Sequence, residues 1–211
     1  MEWINTYDAI EETKSVLIVG GGVVATKLAA ELACKYGVTG EKRIGMCVRG
    51  DKILSNFNPR ISQCAERFLK SVGVEINFNT PFHEENPKAL GYDYVIKCIG
   101  LKFRTDFMKL NFPQALSPRG QIYVNDLMQI SGVDPRKNPY APALKENIFC
   151  LGDCCLTSLN EEKTIATLCY LSEYVRKNIM QHAAGRRPSH QLPKEIPTYA
   201  LITLGPTFGI L

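Results

Sequence analysis

The chain has 211 residues, of which 45% are hydrophobic, and a formal net charge of +4 at pH 7. This length and composition predict a globular protein with a sizeable core and exclude an intrinsically disordered chain. Basic and acidic residues are mixed along the sequence, so the basic stripe that a nucleic-acid-binding protein needs is missing and no nucleic-acid partner is expected.

The cysteines and the hydropathy pattern bear on the cellular compartment. No apolar stretch reaches the roughly 18 residues of a membrane-spanning helix, and residues 1–5 lack the pattern of a signal peptide. We therefore expect a cytoplasmic protein, with peripheral membrane association as the alternative. Cys150, Cys154 and Cys155 have no histidine or second cysteine pair nearby, so we predict reduced thiols and no metal site.

The first chemically informative segment is a glycine-rich turn between an apolar run and a helical pattern. Residues 16–19 predict a buried strand, and Gly20, Gly21 and Gly22 follow it directly. With Ala25 they give the spacing Gly-x-Gly-x-x-Ala, a form of the dinucleotide-binding fingerprint. Gly20 would make the tight turn, Gly22 would let a pyrophosphate approach, and Ala25 would let the helix pack on the strand.

A second apolar run at 43–48 predicts the next parallel strand, and its end is where such folds contact the adenine ribose. Arg49 follows the run and could pair with a 2'-phosphate, which would favour NADPH. Asp51 could instead accept hydrogen bonds from the ribose hydroxyls of NAD. A solvated charged loop is the third interpretation, so the cofactor preference stays open.

The rest of the first half continues the alternation of strands and helices. The pattern predicts a helix at 59–72, a strand at 74–78, a loop at 80–91 and a strand at 92–99 that stops at Gly100. The order is that of one extended mononucleotide-binding unit. Its strand ends should all face one crevice, because parallel crossover connections share one handedness.

In the second half, an apolar strand predicted at 147–151 ends in Gly152 and Asp153. A carboxylate at this position could accept hydrogen bonds from a polyol or ribose chain, or it could cap the following helix. The other predicted elements are a short strand at 121–124, a long amphipathic helix at 164–184 and a strand at 198–205.

The order of the motifs resembles that of the FAD-dependent pyridine nucleotide oxidoreductases, in the apoptosis-inducing-factor-like branch that includes the ferroptosis suppressor protein. The resemblance covers nearly all of residues 15–211. It depends on five segments in the family's order: 18–22, 95–100, 120–132, 147–154 and 203–205.

This resemblance implies an α/β fold with a Rossmann-like parallel sheet. Residues 1–14 would be an N-terminal extension, 15–108 the NAD(P)-binding domain, and 109–211 the C-terminal portion of the FAD-binding domain. The implied activity passes a hydride from NAD(P)H to FAD and then electrons to a small-molecule acceptor of the quinone type.

The resemblance also assigns site residues, although no catalytic residue among them. The glycine fingerprint would hold the NAD(P)H pyrophosphate, and Gly100 would lie near the nicotinamide or the crossing between domains. Gly152 and Asp153 correspond to the Gly-Asp pair that holds FAD. Lys163 falls where related sequences often place a lysine beneath the flavin.

Three departures from the family pattern keep other functions open. The FAD fingerprint that would precede Met1 is missing, Lys27 stands where a glutamate is common, and the 80–91 loop is short. We therefore expect a shortened oxidoreductase. The alternatives are a non-catalytic NAD(P)-binding module and an interaction protein that has lost both cofactors. In each case a second copy or a partner protein would cover exposed sheet edges.

Overall fold

A computed structural model describes residues 2–83, 91–159, 161–196 and 201–210. The chain forms two compact units, one made of Met1–Gly100 and Leu201–Leu211 and the other of Leu101–Ala200. The first unit thus includes the predicted 1–14 extension and also the last eleven residues of the chain, Leu201–Leu211. The predicted domain boundary after residue 108 lies inside the second unit.

The first unit contains a four-stranded sheet flanked by helices. Its elements are α1 (Glu2–Glu12), β1 (Ser15–Val19), α2 (Val23–Leu32), β2 (Arg43–Cys47), α3 (Pro59–Ser71), β3 (Glu75–Asn77) and β4 (Tyr94–Lys97), followed at the chain end by β7 (Ile202–Leu204) and β8 (Phe208–Ile210). The sheet order is β3-β2-β1-β4 and every pairing is parallel. The predicted α/β class with a parallel sheet is therefore confirmed.

The centre of this sheet is β1, and all five of its residues are buried. Helix α2 packs against the sheet through alanines, of which Ala25, Ala29 and Ala30 are fully buried. Small side chains allow close approach of helix and strand, so β1 and α2 hold a fixed geometry at the turn between them. A π-helical turn at Ala33–Gly37 continues α2 as far as Gly37.

The start of α3 has a local cause. Asn58 precedes the helix, and its side chain accepts a hydrogen bond from the Arg60 amide at 3.0 Å. Pro59 occupies the first helical position, where a missing N–H costs nothing. The predicted crossover helix therefore begins where the sequence pattern placed it.

The strand predicted at 198–205 is shorter in the structure, and its residues 198–200 lie outside the described residues. β7 pairs antiparallel with β8, and the chain reverses at Gly205, which has a φ of +67°. The Phe208 ring stacks on Phe68 of α3, with ring centroids 4.9 Å apart. The end of the chain thus packs on the first unit.

The second unit has little regular sheet. β5 (Ile122–Tyr123) pairs in parallel with β6 (Cys155–Leu156), and α4 (Ile165–Ala183) is its one long helix among the described residues. Leu171 and Val175 of α4 pack in a buried cluster with Val124, Met128 and Cys155. Nowhere in the described ranges does a helix reach the length and apolarity needed to cross a bilayer.

The strand predicted at 147–151 is wrong, and one of the two roles considered for Asp153 does not hold. No strand forms at 147–151, because this segment makes only scattered antiparallel contacts, such as the Phe149 bridge to Gln129, before the chain turns at Gly152. The parallel pairing with β5 goes to Cys155–Leu156 instead. Asp153 does not cap α4, since Thr164 does so by accepting a hydrogen bond from the Thr167 amide.

Asp126 is a buried carboxyl in the second unit. Its Oδ1 accepts a hydrogen bond from Ser158 Oγ at 2.7 Å. Burial raises the pKa of Asp126, and the Ser158 hydrogen bond offsets only part of that effect. The folded pKa therefore lies above the unfolded value, so the ionised carboxylate costs stability at neutral pH, and that cost disappears as pH falls through the folded pKa.

We expect Asp126→Asn to raise the unfolding temperature at pH 7 by about 3 °C, because the amide keeps an acceptor for Ser158 without a buried charge. The advantage should shrink as the pH is lowered towards 4. Differential scanning fluorimetry across this pH range measures both effects, with the exposed Glu146→Gln as control. A pH-independent difference would contradict the role of the carboxyl charge.

Candidate functional site

The glycine turn of the first unit lies where three strands end. The Gly20 amide donates to Cys47 O of β2 at 2.9 Å, and Gly20 has a φ of +132°. A Cβ at this position would lie 2.7 Å from Cys98 O, beyond the end of β4. Only glycine fits such a close backbone approach, which brings the carboxyl ends of β1, β2 and β4 together.

The next two glycines have different surroundings. Gly21 O accepts from the Leu54 amide at 2.6 Å, and a Cβ on Gly21 would meet Val48 Cγ1 at 2.8 Å. Gly22 is exposed, and a Cβ built on it would meet no atom within 4 Å. Gly21 is therefore half-buried against Val48 and Leu54, whereas Gly22 faces open space.

Helix α2 begins at this open space. Gly22 is its N-cap, with an extended backbone and no side-chain hydrogen bond to the helix, and no acidic residue lies in the first turn. The first amides of α2 therefore keep their capacity to bind an anion. We call Gly20–Gly22 with the first turn of α2 the glycine cradle. The cradle fits a pyrophosphate for two reasons. The space that a side chain at position 22 would occupy is open, and the first amides of α2 beside it have no hydrogen-bond partner among the described residues.

Arg49 and Asp51 follow β2, on the side of the sheet where the glycine cradle lies, and both are exposed. Arg49 makes no ion pair with any residue that the structure describes. A guanidinium that is not paired with a carboxylate of the same chain is available to bind a phosphate of a ligand. The structure thus brings Arg49 near the predicted cradle, because the Gly20 amide bonds to the last residue of β2.

Gly100 is the last residue of the first unit before Leu101. It has a φ of +74°, and a Cβ there would meet nothing within 4 Å. A contact of Gly100 with the nicotinamide stays a prediction.

In the second unit, Gly152 and Asp153 form a turn beside Lys163. Gly152 has a φ of +98°, its carbonyl accepts from the Cys155 amide at 3.1 Å, and Asp153 is exposed. A cavity of about 240 Å³ lies between this turn and the start of α4, lined among others by Gly152, Asp153, Lys163 and Thr164. The structure thus brings together the three residues that the resemblance assigned to FAD.

Lys163 has partners that sequence reasoning missed. Its ammonium pairs with Glu161, whose side chain is only 5% exposed, and lies 3.7 Å from Cys155 Sγ. Burial works against the Lys163 charge, but Cys155 and Glu161 raise its pKa above the ordinary value. Charged residues in a loop are typical of a solvated surface, so no local signal identified Glu161 as buried.

The cavity is smaller than the space an entire dinucleotide needs, since pockets for such ligands usually exceed about 300 Å³. Asp153 offers an acceptor for the hydroxyls of a ribityl chain, and the start of α4 offers the positive end of a helix dipole. The Lys163 ammonium is paired with Glu161, which also lines the cavity. The donor set therefore suits one portion of the cofactor.

Comparison with known proteins agrees with these features. The sequence profile of the family described as "Pyridine nucleotide-disulphide oxidoreductase" matches residues 4–187. Apoptosis-inducing factor homolog A of Dictyostelium discoideum is 28% identical over 96% of this chain and 54% of its own length. Ferroptosis suppressor protein 1 of Xenopus laevis is 23% identical over 98% of this chain and 55% of its own length. The chain thus spans about half the length of the curated relatives it matches.

Solved structures show the same fold. Reduced Bacillus anthracis CoADR-RHD superposes with a TM-score of 0.57 at 17% identity, over 89% of this chain and 32% of that one. The water-forming NADH oxidase of Lactobacillus brevis, solved with bound NADH, gives a TM-score of 0.55 at 20% identity, over 90% of this chain and 40% of that one. At this identity the similarity concerns the fold alone.

Proposed function

We propose, from the premise that this chain belongs to the pyridine nucleotide-disulphide oxidoreductase family, that it takes part in hydride transfer from NAD(P)H to FAD. Proteins of this family use NAD(P)H and FAD as cofactors. One observation carries the proposal: Gly22 leaves an open space in front of the uncapped amides of α2. A quinone-type small molecule as the final electron acceptor is carried over from the sequence resemblance.

In the first unit, the glycine cradle would bind the NAD(P)H pyrophosphate. The first amides of α2 would donate hydrogen bonds to the phosphate oxygens, and the positive end of the helix dipole would favour their charge. Ala25, fully buried, would keep the helix close to β1 so that these amides stay in place. The chain's contribution here is binding and orientation.

In the second unit, Asp153 would accept hydrogen bonds from hydroxyls of the FAD ribityl or ribose chain. Lys163, held in a defined position by its ion pair with Glu161, would donate a hydrogen bond to the cofactor. When bound, FAD accepts a hydride and passes electrons on singly or in pairs. The walls of the cavity, among them Leu168 and Leu171, would exclude water from this part of the cofactor.

The proposal is tested by the visible absorbance of the purified chain after incubation with FAD and removal of free cofactor. We expect a retained yellow absorbance that bleaches on addition of NADH or NADPH under anaerobic conditions. A colourless protein whose unfolding temperature rises with NADPH would instead support the NAD(P)-binding module, which the complete cradle of the first unit favours. A chain that responds to neither cofactor would overturn both proposals.

Arg49→Ala is expected to weaken NADPH binding about tenfold, the effect of one charge-assisted hydrogen-bond pair, and to leave NADH binding within about twofold. The reason is that only NADPH carries the 2'-phosphate that Arg49 would contact. Titration of nucleotide fluorescence measures both affinities. The matched control is Lys52→Ala, which removes the same charge from the same exposed loop. An equal loss of affinity for both nucleotides would refute the role of Arg49.

A further inference from the structure

Three cysteines of the second unit form a thiol cluster that the proposed function does not use: Cys150, Cys154 and Cys155. Cys150 Sγ and Cys154 Sγ are 3.7 Å apart, and both side chains are partly exposed. Cys155 is buried in β6. Two sulfurs at this separation need to approach to about 2.05 Å to form a disulfide, which is a small movement.

The chain between the paired cysteines is built to bring them together. Gly152, in the left-handed region at a φ of +98°, reverses the backbone, and its carbonyl accepts from the Cys155 amide at 3.1 Å. Cys150 and Cys154 therefore meet across a hydrogen-bonded turn. The cavity of about 240 Å³ borders the same turn through Leu151, Gly152 and Asp153, which leaves room for a small molecule beside it.

The third thiol is held next to a cation. Lys163 Nζ lies 3.7 Å from Cys155 Sγ. The neighbouring Cys150 thiol and the Lys163 charge lower the pKa of Cys155, whereas the neighbouring Cys155 thiol and burial raise the pKa of Cys150. Cys155 is buried, so the partly exposed pair that a solute can reach is Cys150 and Cys154.

We propose that Cys150 and Cys154 form a redox-responsive dithiol that a hydroperoxide oxidises to a disulfide. This inference does not depend on the binding of NAD(P)H or FAD. It assigns a covalent modification to the turn that carries Asp153.

The reaction balances with the peroxide as the two-electron oxidant. Cys154 Sγ attacks one peroxide oxygen, the O–O bond breaks, and the departing oxygen takes the Cys154 proton and leaves as water or an alcohol. Cys154 is then a sulfenic acid. Cys150 Sγ attacks the Cys154 sulfur, the S–O bond breaks, and the hydroxide leaves as water with the Cys150 proton.

The test uses the full chain, reduced and then exposed to hydrogen peroxide, with remaining thiols blocked by N-ethylmaleimide. Trypsin releases the three cysteines in one peptide, 146–163. Mass spectrometry should find this peptide two hydrogens lighter, with a single blocked thiol at Cys155. Cys154→Ser should abolish the disulfide, and the matched control Cys169→Ser, which removes an exposed thiol on α4, should not.

The choice of the pair has a readout of its own. Cys155→Ala should leave the rate of disulfide formation at pH 7 within about twofold, because the buried thiol takes no part in the reaction. Circular dichroism of each variant checks that the fold is retained. A disulfide that includes Cys155, over-oxidation of single thiols, or oxidation of Cys150 no faster than that of Cys169 would overturn the proposal.

Discussion

Replacing Gly22 by aspartate is expected to weaken NAD(P)H binding at least about a hundredfold, because a carboxylate would stand where the pyrophosphate needs the α2 amides. The same substitution should leave the fold intact. A Cβ at Gly22 meets nothing within 4 Å, and the backbone there has an ordinary φ of −82°. An aspartate N-cap should even stabilise α2 by a few tenths of a kcal/mol, since Gly22 gives no side-chain cap.

Gly22→Asp is expected to lower the affinity for NAD(P)H and to raise the stability of the fold. A change that only damaged the fold would lower both quantities, so the prediction is specific to the nucleotide site. The nucleotide affinity is measured by calorimetry, and the stability by thermal unfolding without nucleotide. Asn5→Asp adds the same charge on α1, which contacts the far end of α2 through Tyr7 and Lys35. It should change neither quantity appreciably. If Gly22→Asp binds NADPH as the unmodified chain does, the glycine cradle is not the nucleotide site.

Gly45→Ala is expected to lower the free energy of unfolding by about 3 kcal/mol, the upper end of the cost of overpacking a core. A Cβ at this position in β2 would lie 2.1 Å from Tyr92 Oη and 2.4 Å from Cζ. The ring has little freedom to move, because Tyr92 is buried, donates to Glu75 Oε2 at 2.9 Å and lies under the Arg43 guanidinium at 4.3 Å.

A double-mutant cycle with Tyr92→Leu isolates this contact. Burial and the Glu75 carboxylate raise the pKa of Tyr92 to about 12, so the phenol remains a donor at neutral pH, where urea unfolding is measured. The double variant should recover about 2 kcal/mol relative to the sum of the single changes. Gly50→Ala, which meets no atom within 4 Å, is the control. Strict additivity would show that Tyr92 is not what excludes a side chain at position 45.

The first unit could be predicted in most of its parts because its signals are local. An apolar run ending in glycines predicts β1 and its turn, and Pro59 predicts the start of α3. The positions of Gly20, Gly22 and Ala25 relative to one another follow from the same short pattern. Each of these features depends on residues within a few positions of one another.

The second unit could be predicted less well because its pairings are non-local. The apolar segment 147–151 reads as a strand, but its backbone meets only isolated partners, and Cys155–Leu156 takes the parallel pairing with β5. Thr164, one of several polar residues before α4, turns out to be its cap. A short apolar run in the sequence does not indicate which backbone segment will accept hydrogen bonds from its amides.

By itself, the sequence determined the parallel α/β class, the glycine cradle and the family, since strand, turn and helix signals are written in contiguous residues. Only the tertiary structure decided that Tyr92 fills the space over Gly45, that Glu161 and Lys163 are a partly buried pair, and that Cys150 and Cys154 meet across a turn. These contacts depend on distances between side chains, which the folded backbone sets and residue spacing alone does not.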